Sequence, residues 1–163
     1  MNRLVIFTIA MLLVLGCGGP KKEVSEKQMH QDLQNDNNDY FAEGLKFVEK
    51  SAVPEAVQSL QKAIRKNPQD TRPYLVLAEI YMRLQNYQSA SDALQAVLNI
   101  DPGNGGAAYL LAVSTGLKGE RAQAVEIAKK AAEIFKLKKD EVNLKKSLAL
   151  IQGLTNVGQP STQ

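Results

Sequence analysis

One pattern constrains the fold of this chain more than any other: a stretch of sequence recurs at a fixed interval. The segments "KNPQDTRPY" and "IDPGNGGAA" each lead out of one apolar-striped segment and into the next, and their prolines, Pro68 and Pro102, take matching places. A period of roughly 20 to 50 residues is typical of chains that stack a small structural unit on copies of itself. The pattern therefore predicts a stack of repeated units.

Residues of the same kind recur when the chain is set in rows of 34 that start at residues 37, 71 and 105. The small and proline positions, which we predict to pack one repeat on the next, are Gly44, Ala56, Ala63, Pro68, Ala78, Ala90, Pro102, Ala112, Ala124 and Ala131. Aromatic residues occupy two further columns in the first two rows. The third row departs from the pattern, with Ala108 and Thr115 in the aromatic columns and Lys136 in the proline column.

Each row predicts two helices, because its apolar residues recur at helical spacing on both sides of a short polar turn. The predicted pairs are Asn38–Lys50 with Pro54–Lys66, Arg72–Leu84 with Tyr87–Asn99, and Gly106–Leu117 with Arg121–Phe135. Small residues let the paired helices approach closely, and a proline, which donates no backbone hydrogen bond, separates one pair from the next. One hairpin cannot bury its apolar face alone, so the pairs are expected to stack.

These columns resemble the tetratricopeptide repeat (TPR). The resemblance implies an all-α TPR α-solenoid of three helical hairpins, at 37–70, 71–104 and 105–138, within a repeat region 37–138. A C-terminal capping helix over 139–154 is predicted from "DEVNLKKSLALIQGL", with Leu144, Leu148 and Ile151 on its buried stripe. We expect a disordered tail over 155–163.

In the TPR family the concave side of the solenoid is lined by fixed positions of each first helix. Arg72, Gly106 and Gly116 are among the residues at these positions. Ten of the residues at these positions form the predicted partner groove: Phe41, Leu45, Val48, Leu75, Val76, Glu79, Met82, Tyr109, Leu110 and Val113. Some family members grip a C-terminal carboxylate with Lys, Asn and Arg there, but the corresponding positions here are largely apolar. The predicted ligand is therefore an extended peptide or the apolar face of an amphipathic helix. Alternatively, the groove is covered by the tether, by the capping helix or by a second copy of the chain.

The N-terminus reads as a targeting segment. Arg3 precedes an apolar run from Leu4 to Leu15, too short for a comfortable membrane span and of the length of a secretory h-region. "VLGC" resembles the lipobox of bacterial lipoproteins, although Val14 and Leu15 depart from the favoured Leu and small residue. The resemblance implies cleavage of a signal peptide at 1–16 and lipid attachment at Cys17, with palmitate as a typical acyl group. An ordinary signal peptide, or a cytosolic N-terminus with an incidental thiol, is the alternative.

Residues 17–36 are then the lipidated cysteine and a polar tether, with too few apolar residues to fold alone. We expect the protein to be exported and anchored to a bilayer by its lipid. In a cell with two membranes this would be the outer membrane, facing the periplasm; otherwise it would be the outer face of the cell membrane. Cys17 is the only cysteine, so no intrachain disulfide is expected.

No enzyme is predicted, and no catalytic, cofactor or metal residues are assigned. His30 is the only histidine and Cys17 is expected to be lipidated, so the common nucleophile–base pairs and metal-ligand sets lack members. The net charge of +3 is slight and spread out, which argues against nucleic acid as a partner.

The predicted function is a membrane-anchored, non-catalytic protein-interaction scaffold of the bacterial cell envelope. Its plan resembles lipoproteins of pilus or secretion systems and of outer-membrane assembly. The alternatives are a self-associating structural lipoprotein, such as a homodimer, and an accessory that positions an envelope enzyme such as a peptidoglycan enzyme.

Overall fold

The computed structural model describes residues 40–156. The predicted signal peptide, the lipid-attachment residue Cys17, the tether 17–36 and the residues after 156 lie outside the described part. What was inferred for those segments stays a prediction.

Seven helices form the described part of the chain, so the all-α prediction is confirmed. They are α1 (40–49), α2 (Val53–Lys66), α3 (Thr71–Arg83), α4 (Tyr87–Ile100), α5 (Gly105–Leu117), α6 (Arg121–Leu137) and α7 (Glu141–Asn156). Helices that are neighbours along the chain pack on each other, and α7 also reaches α5. The helices therefore pair as three hairpins, α1–α2, α3–α4 and α5–α6, with α7 against the last one.

The turn inside each hairpin has one backbone form. The second residue after the end of the first helix has a positive φ, at Ser51 (57°), Gln85 (57°) and Gly119 (91°), which occupy the same position in successive rows. At Ser51 the backbone N–H donates to the Val48 carbonyl, and the next N–H, of Ala52, donates to the Phe47 carbonyl. This pair of bonds is the Schellman motif, which satisfies the last carbonyls of a helix.

The turns between hairpins are different. Pro68 and Pro102 lie in them and are exposed, so they act on the backbone and not as core residues. Asp70 and Asn104 follow two residues later and cap α3 and α5, accepting hydrogen bonds from the backbone N–H groups of Arg72 and Ala107. After α6, where the third row has no proline, the chain instead repeats the Schellman form at Lys139 (φ 56°).

The core consists mainly of the small residues that recur in the sequence. Ala56, Ala63, Ala90, Ala112, Ala124 and Ala131 are all fully buried, with Leu60, Leu94 and Val97 between them. Gly44 lies in equally close packing, since a Cβ there would lie 2.9 Å from both Cγ and Cδ2 of Leu60. Close helix approach is thus what these residues provide.

One buried polar contact joins the second hairpin to the third. The hydroxyls of Ser91, on α4, and Ser114, on α5, lie 2.9 Å apart, and Ser114 also donates to the Leu111 carbonyl oxygen at 3.0 Å. Both side chains are almost inaccessible to solvent. The Ser91 hydroxyl therefore depends on Ser114 for a partner that water cannot supply.

The capping helix differs from its prediction in register. Leu148, predicted on the buried stripe, is 52% exposed, whereas Ser147 is fully buried. Leu144 and Ile151 are half-buried, as is Leu154, so the packed face runs through Leu144, Ser147, Ile151 and Leu154. The Ser147 hydroxyl donates to the Asn143 carbonyl oxygen at 3.0 Å, and this bond within the helix lets a polar residue face inward.

Candidate functional site

The candidate site is the surface of the first helices, α1, α3 and α5, that the core does not use. It comprises the ten groove residues predicted above, and every one of them keeps some exposure to solvent. Leu45 and Leu110 are the most open of the apolar ones, at 36% and 37%. An apolar side chain left this open on a folded surface is available for contact with another molecule.

Part of the groove also supports the core. Phe41, Val48, Leu75 and Val76 are half-buried and pack against the main hydrophobic cluster, while Tyr109 packs against a second cluster around Phe135. These side chains are anchored on one side, so they present their open side in a fixed position. Such preorganisation lowers the entropy that a ligand loses on binding.

Arg72 crosses from α3 to α1 and covers one face of Phe41. Its guanidinium carbon lies 4.9 Å from the centre of the Phe41 ring. The carboxylate of Asp70 holds the guanidinium in place through Nε, at 2.9 and 3.1 Å, and Nη2, at 2.6 Å. These hydrogen bonds from Arg72 hold the pKa of the Asp70 carboxyl below its ordinary value. The Asp70–Arg72–Phe41 contact thus fixes a cation beside the apolar groove.

A second charged pair lies along α3. The Glu79 carboxylate accepts a hydrogen bond from Arg83 Nη2 at 2.6 Å, and both side chains are more than half exposed. With its charge paired, Glu79 is a groove residue that offers a ligand little free charge. At this exposure the pair contributes little to stability.

Sequence reasoning predicted the groove positions but not these contacts. Arg72 falls at a lining position of the repeat, yet nothing in its spacing shows that it stacks on Phe41. The spacing Asp-x-Arg at the start of a helix is the available signal, since an N-cap carboxylate lies close to the side chain two residues later.

The capping helix covers one edge of the groove. A Cβ at Gly116, near the end of α5, would lie 3.0 Å from Leu154 Cδ2, so Leu154 packs directly over this glycine. Self-covering by the capping helix therefore occurs at this edge, while Leu45 and Leu110 stay open. The groove is thus partly closed by its own chain at this edge.

Two other kinds of site, a metal site and a membrane-spanning helix, are absent from residues 40–156. No group of three or more His, Cys, Asp or Glu side chains comes together there in a way that could hold a metal ion. Over the same residues, no helix combines the length and the apolar character needed to cross a bilayer.

Comparison with known proteins relates the chain to repeat proteins. A model of the tetratricopeptide repeat matches residues 47–113. A TPR repeat-containing protein of Methanocaldococcus jannaschii is 30% identical over 122 residues, which are 74% of this chain and 20% of that protein. The chain thus spans about a fifth of the length of this curated relative.

Solved structures share the arrangement of helices. The TPR2B domain in the pHsp70 complex of yeast Sti1 superposes with a TM-score of 0.66 at 21% identity, over 74% of this chain and 97% of that one. PcrH, in complex with the chaperone-binding region of PopD, gives 0.66 at 16% identity, over 86% and 100%. The type III secretion translocator chaperone SycD of Yersinia enterocolitica gives 0.65 at 16%, over 85% and 100%. At these identities the likeness shows the fold.

Proposed function

Because the described part of the chain has the all-α tetratricopeptide-repeat fold, we propose that the protein is a non-catalytic scaffold that holds another protein in its groove. The observation that carries this proposal is the exposure of Leu45 and Leu110 beside anchored apolar side chains. A soluble stack that served only its own stability would gain by placing polar residues at such positions.

The proposed ligand is a segment with apolar side chains at regular spacing, either an extended peptide or an amphipathic helix. The groove offers a fixed apolar surface with the Asp70–Arg72 ion pair at its side. The positions that correspond to the carboxylate clamp of other TPR proteins hold Phe41, Leu45, Val76, Gly106 and Leu110. Binding of a segment of another protein has a precedent in PcrH, whose structure contains the chaperone-binding region of PopD.

We further propose that this scaffold is located at a bacterial cell envelope. Cleavage before Cys17 and acylation of its thiol would moor the repeats to a bilayer, since one acyl chain binds reversibly and two hold firmly. The polar residues up to position 36 would then separate the repeats from the lipid surface. Support for this step comes from the sequence "VLGC" alone.

Crosslinking from the groove tests the proposed binding. A photo-crosslinker placed at Phe41, Val76 or Tyr109 in cells should capture a partner, and Leu110→Asp should reduce the crosslinked yield at least tenfold. Leu137→Asp is the matched control: Leu137 is 84% exposed, lies at the end of α6 outside the groove, and should leave the yield unchanged. Crosslinks confined to the same chain, or equal loss in both variants, would contradict a partner groove.

Replacement of the cysteine tests the anchor. Cys17→Ala should move the protein from the membrane fraction to the soluble fraction, because the thioether cannot form. Unchanged fractionation would reject lipidation at this residue and leave the groove proposal standing.

A second copy of the chain is the alternative occupant of the groove. Light scattering of a chain that starts at Gly18 distinguishes the two: a monomer leaves the groove free for a partner. A dimer that Leu110→Asp dissociates and Leu137→Asp does not would place a second copy there.

A further inference from the structure

The turn between α6 and α7 concentrates the positive charge of the molecule. Residues 136–146, here called the basic turn, comprise the last residues of α6, the turn itself and the start of α7. They hold Asp140, Glu141 and five lysines: Lys136, Lys138, Lys139, Lys145 and Lys146. The basic turn thus has a net charge of +3, equal to that of the whole chain, so the charges of the remaining residues balance.

No carboxylate of the described residues neutralises these lysines through an ion pair. Two of the ammonium groups have uncharged acceptors: Lys138 Nζ donates to the Gly103 carbonyl oxygen at 2.7 Å, and Lys146 Nζ donates to Asn143 Oδ1 at 3.2 Å. The Asp140 carboxylate is used at the start of α7, where it accepts hydrogen bonds from the backbone N–H and the side-chain amide of Asn143. The positive charges of the basic turn are therefore available to a negatively charged surface.

Two apolar side chains project from the basic turn. Leu137 is 84% exposed and Val142 is 65% exposed, the two largest values among the large apolar side chains of residues 40–156. Neither belongs to the main hydrophobic cluster or to the cluster around Phe135. Side chains this exposed stand out from the surface and line no recess. Projecting apolar groups among lysines are typical of contact with an anionic bilayer, where the lysine stems follow the apolar groups and the ammonium groups stay at the headgroups.

The basic turn lies at the end of the stack where α1 begins. Successive helices run in opposite directions, so α1, α3, α5 and α7 start at one end, and α6 finishes there. Arg72, at the start of α3, stacks on Phe41, at the start of α1. A Cβ at Gly105, the first residue of α5, would lie 2.8 Å from Cε1 of Phe135, near the end of α6. A chain that comes from the proposed lipid anchor therefore enters the stack at the end that carries the basic turn.

The proposed anchor would also hold this end close to the bilayer. Tyr40 follows Cys17 by 23 residues, which span at most roughly 80 Å when fully extended. Confinement within that distance raises the local concentration of lipid around the basic turn, so that even a weak contact is favoured.

We propose that the basic turn is a second membrane contact. Its lysines face the headgroups of anionic lipids, and Leu137 and Val142 enter the interface between the headgroups and the acyl chains. This contact goes beyond binding in the groove, but the choice of a lipid surface as its occupant rests on the proposed anchor at Cys17. The contact orients the stack, with the end that carries the basic turn towards the bilayer.

A tryptophan at position 137 tests the contact in the anchored protein. The chain has no tryptophan, so Leu137→Trp supplies a single fluorophore. In lipidated protein on vesicles of phosphatidylglycerol and phosphatidylcholine, its emission should shift to shorter wavelength and be quenched by brominated acyl chains. On phosphatidylcholine alone the emission should not shift, since the lysines then meet no net negative charge. Leu84→Trp is the matched control, because Leu84 is 56% exposed at the opposite end of the stack and should stay in water on both kinds of vesicle.

Charge reversal tests the lysines without the anchor. A chain that starts at Gly18 should sediment with the anionic vesicles, and Lys136→Glu combined with Lys139→Glu should weaken this binding about tenfold or more, because two attractive charges become repulsive. The matched control is Lys46→Glu combined with Lys50→Glu, the same change at two exposed lysines of the first hairpin. At physiological salt the control should weaken binding less than about threefold, because charges distant from the lipid are screened.

Leu137→Asp separates the basic turn from the groove. It should weaken vesicle binding by the chain that starts at Gly18 and leave the capture of a partner by the groove unchanged. Because that chain carries no acyl group, its binding to vesicles still tests the basic turn if Cys17→Ala rejects the anchor.

Three results would overturn the proposal: a fluorophore at position 137 that stays in water on the anionic vesicles, an equal shift on phosphatidylcholine alone, or equal losses of binding for the two pairs of lysine variants. Binding to poly-glutamate without binding to vesicles would assign the basic turn to an acidic protein and would equally reject a lipid surface.

Discussion

Gly44 and Gly153 both lie inside helices, but the space around them differs. A Cβ at Gly44 would lie 2.9 Å from the fully buried Leu60, whereas nothing lies within 4 Å of one at Gly153. The same residue type thus has two physical roles. At one site it permits close packing, and at the other it only adds conformational entropy to the unfolded chain.

Gly44→Ala should destabilise the protein by about 1–3 kcal/mol, because Leu60 has no room to move away in a close-packed core. Gly153→Ala, the control, should stabilise it by about 0.5–1 kcal/mol, as expected for an exposed helical glycine. Urea unfolding followed by circular dichroism measures both. Equal effects at the two positions would show that the Leu60 side chain moves aside to accommodate the added methyl group.

Asp70 makes the stability of the junction between the first two hairpins depend on acid. Its pKa is lowered in the folded state, first by the hydrogen bonds from the Arg72 side chain, so the carboxylate stabilises the fold above its unfolded pKa. That stabilisation should disappear as the pH falls through the folded pKa. The difference in free energy of unfolding between wild type and Asp70→Asn should therefore shrink between about pH 6 and about pH 2.5. A constant difference over that range would contradict the ion pair.

At the scale of the element, the turns repeat as faithfully as the helices do. Four turns of the described part require a left-handed residue, yet only one holds glycine, Gly119, while Ser51, Gln85 and Lys139 adopt the same region with side chains. A non-glycine residue in that conformation costs about 1 kcal/mol or more. These turns therefore carry strain that the helix packing on either side outweighs.

Gln85→Gly should relieve this strain and raise the free energy of unfolding by about 0.5–1 kcal/mol. The matched control is Gln58→Gly, the same chemical change at an exposed site inside α2, which should lower stability by a similar amount. Thermal unfolding of both variants beside the wild type shows the sign of each effect. Destabilisation by Gln85→Gly would mean that its side chain contributes more than its backbone costs.

The sequence predicted the helices better than the turns and the capping register. Asn/Asp-Pro and the small-residue columns define helix bounds to within a few residues, because both act on the backbone directly. The sequence does not indicate the positive φ at Gln85, because glycine is the residue from which that conformation is usually predicted. Leu148 was predicted on the buried stripe in place of Ser147, because the Ser147 hydroxyl is satisfied inside its own helix and hydropathy does not register such a bond. The groove's Arg72–Phe41 contact arises from tertiary packing, which no spacing encodes.

The whole molecule is a one-dimensional stack in which each hairpin depends on its neighbours. The α6 helix packs between α5 on one side and α7 on the other. Its alanines at 124, 128 and 131 are fully buried, and small side chains there contribute little area of their own. The stability of the last hairpin therefore depends on how completely α7 covers it.

A chain that ends at Lys139 should lose several kcal/mol of stability and bind a dye for exposed apolar surface, because α6 loses one packed side. A chain that ends at Asn156 is the control and should behave like the full chain. Urea unfolding and dye fluorescence measure the two effects. If the shorter chain were as stable as the control, α7 would not act as a cap.

The buried serine pair has a mechanical consequence for the stack. Sliding or tilting α5 on α4 would leave the Ser91 hydroxyl without its partner Ser114 in a place closed to water, so this interface is held in one register. The interface between α2 and α3 has no such buried hydroxyl pair among the described residues, and it makes a smaller contact. Any bending of the stack is therefore expected at the junction of the first two hairpins, with the two later hairpins moving together.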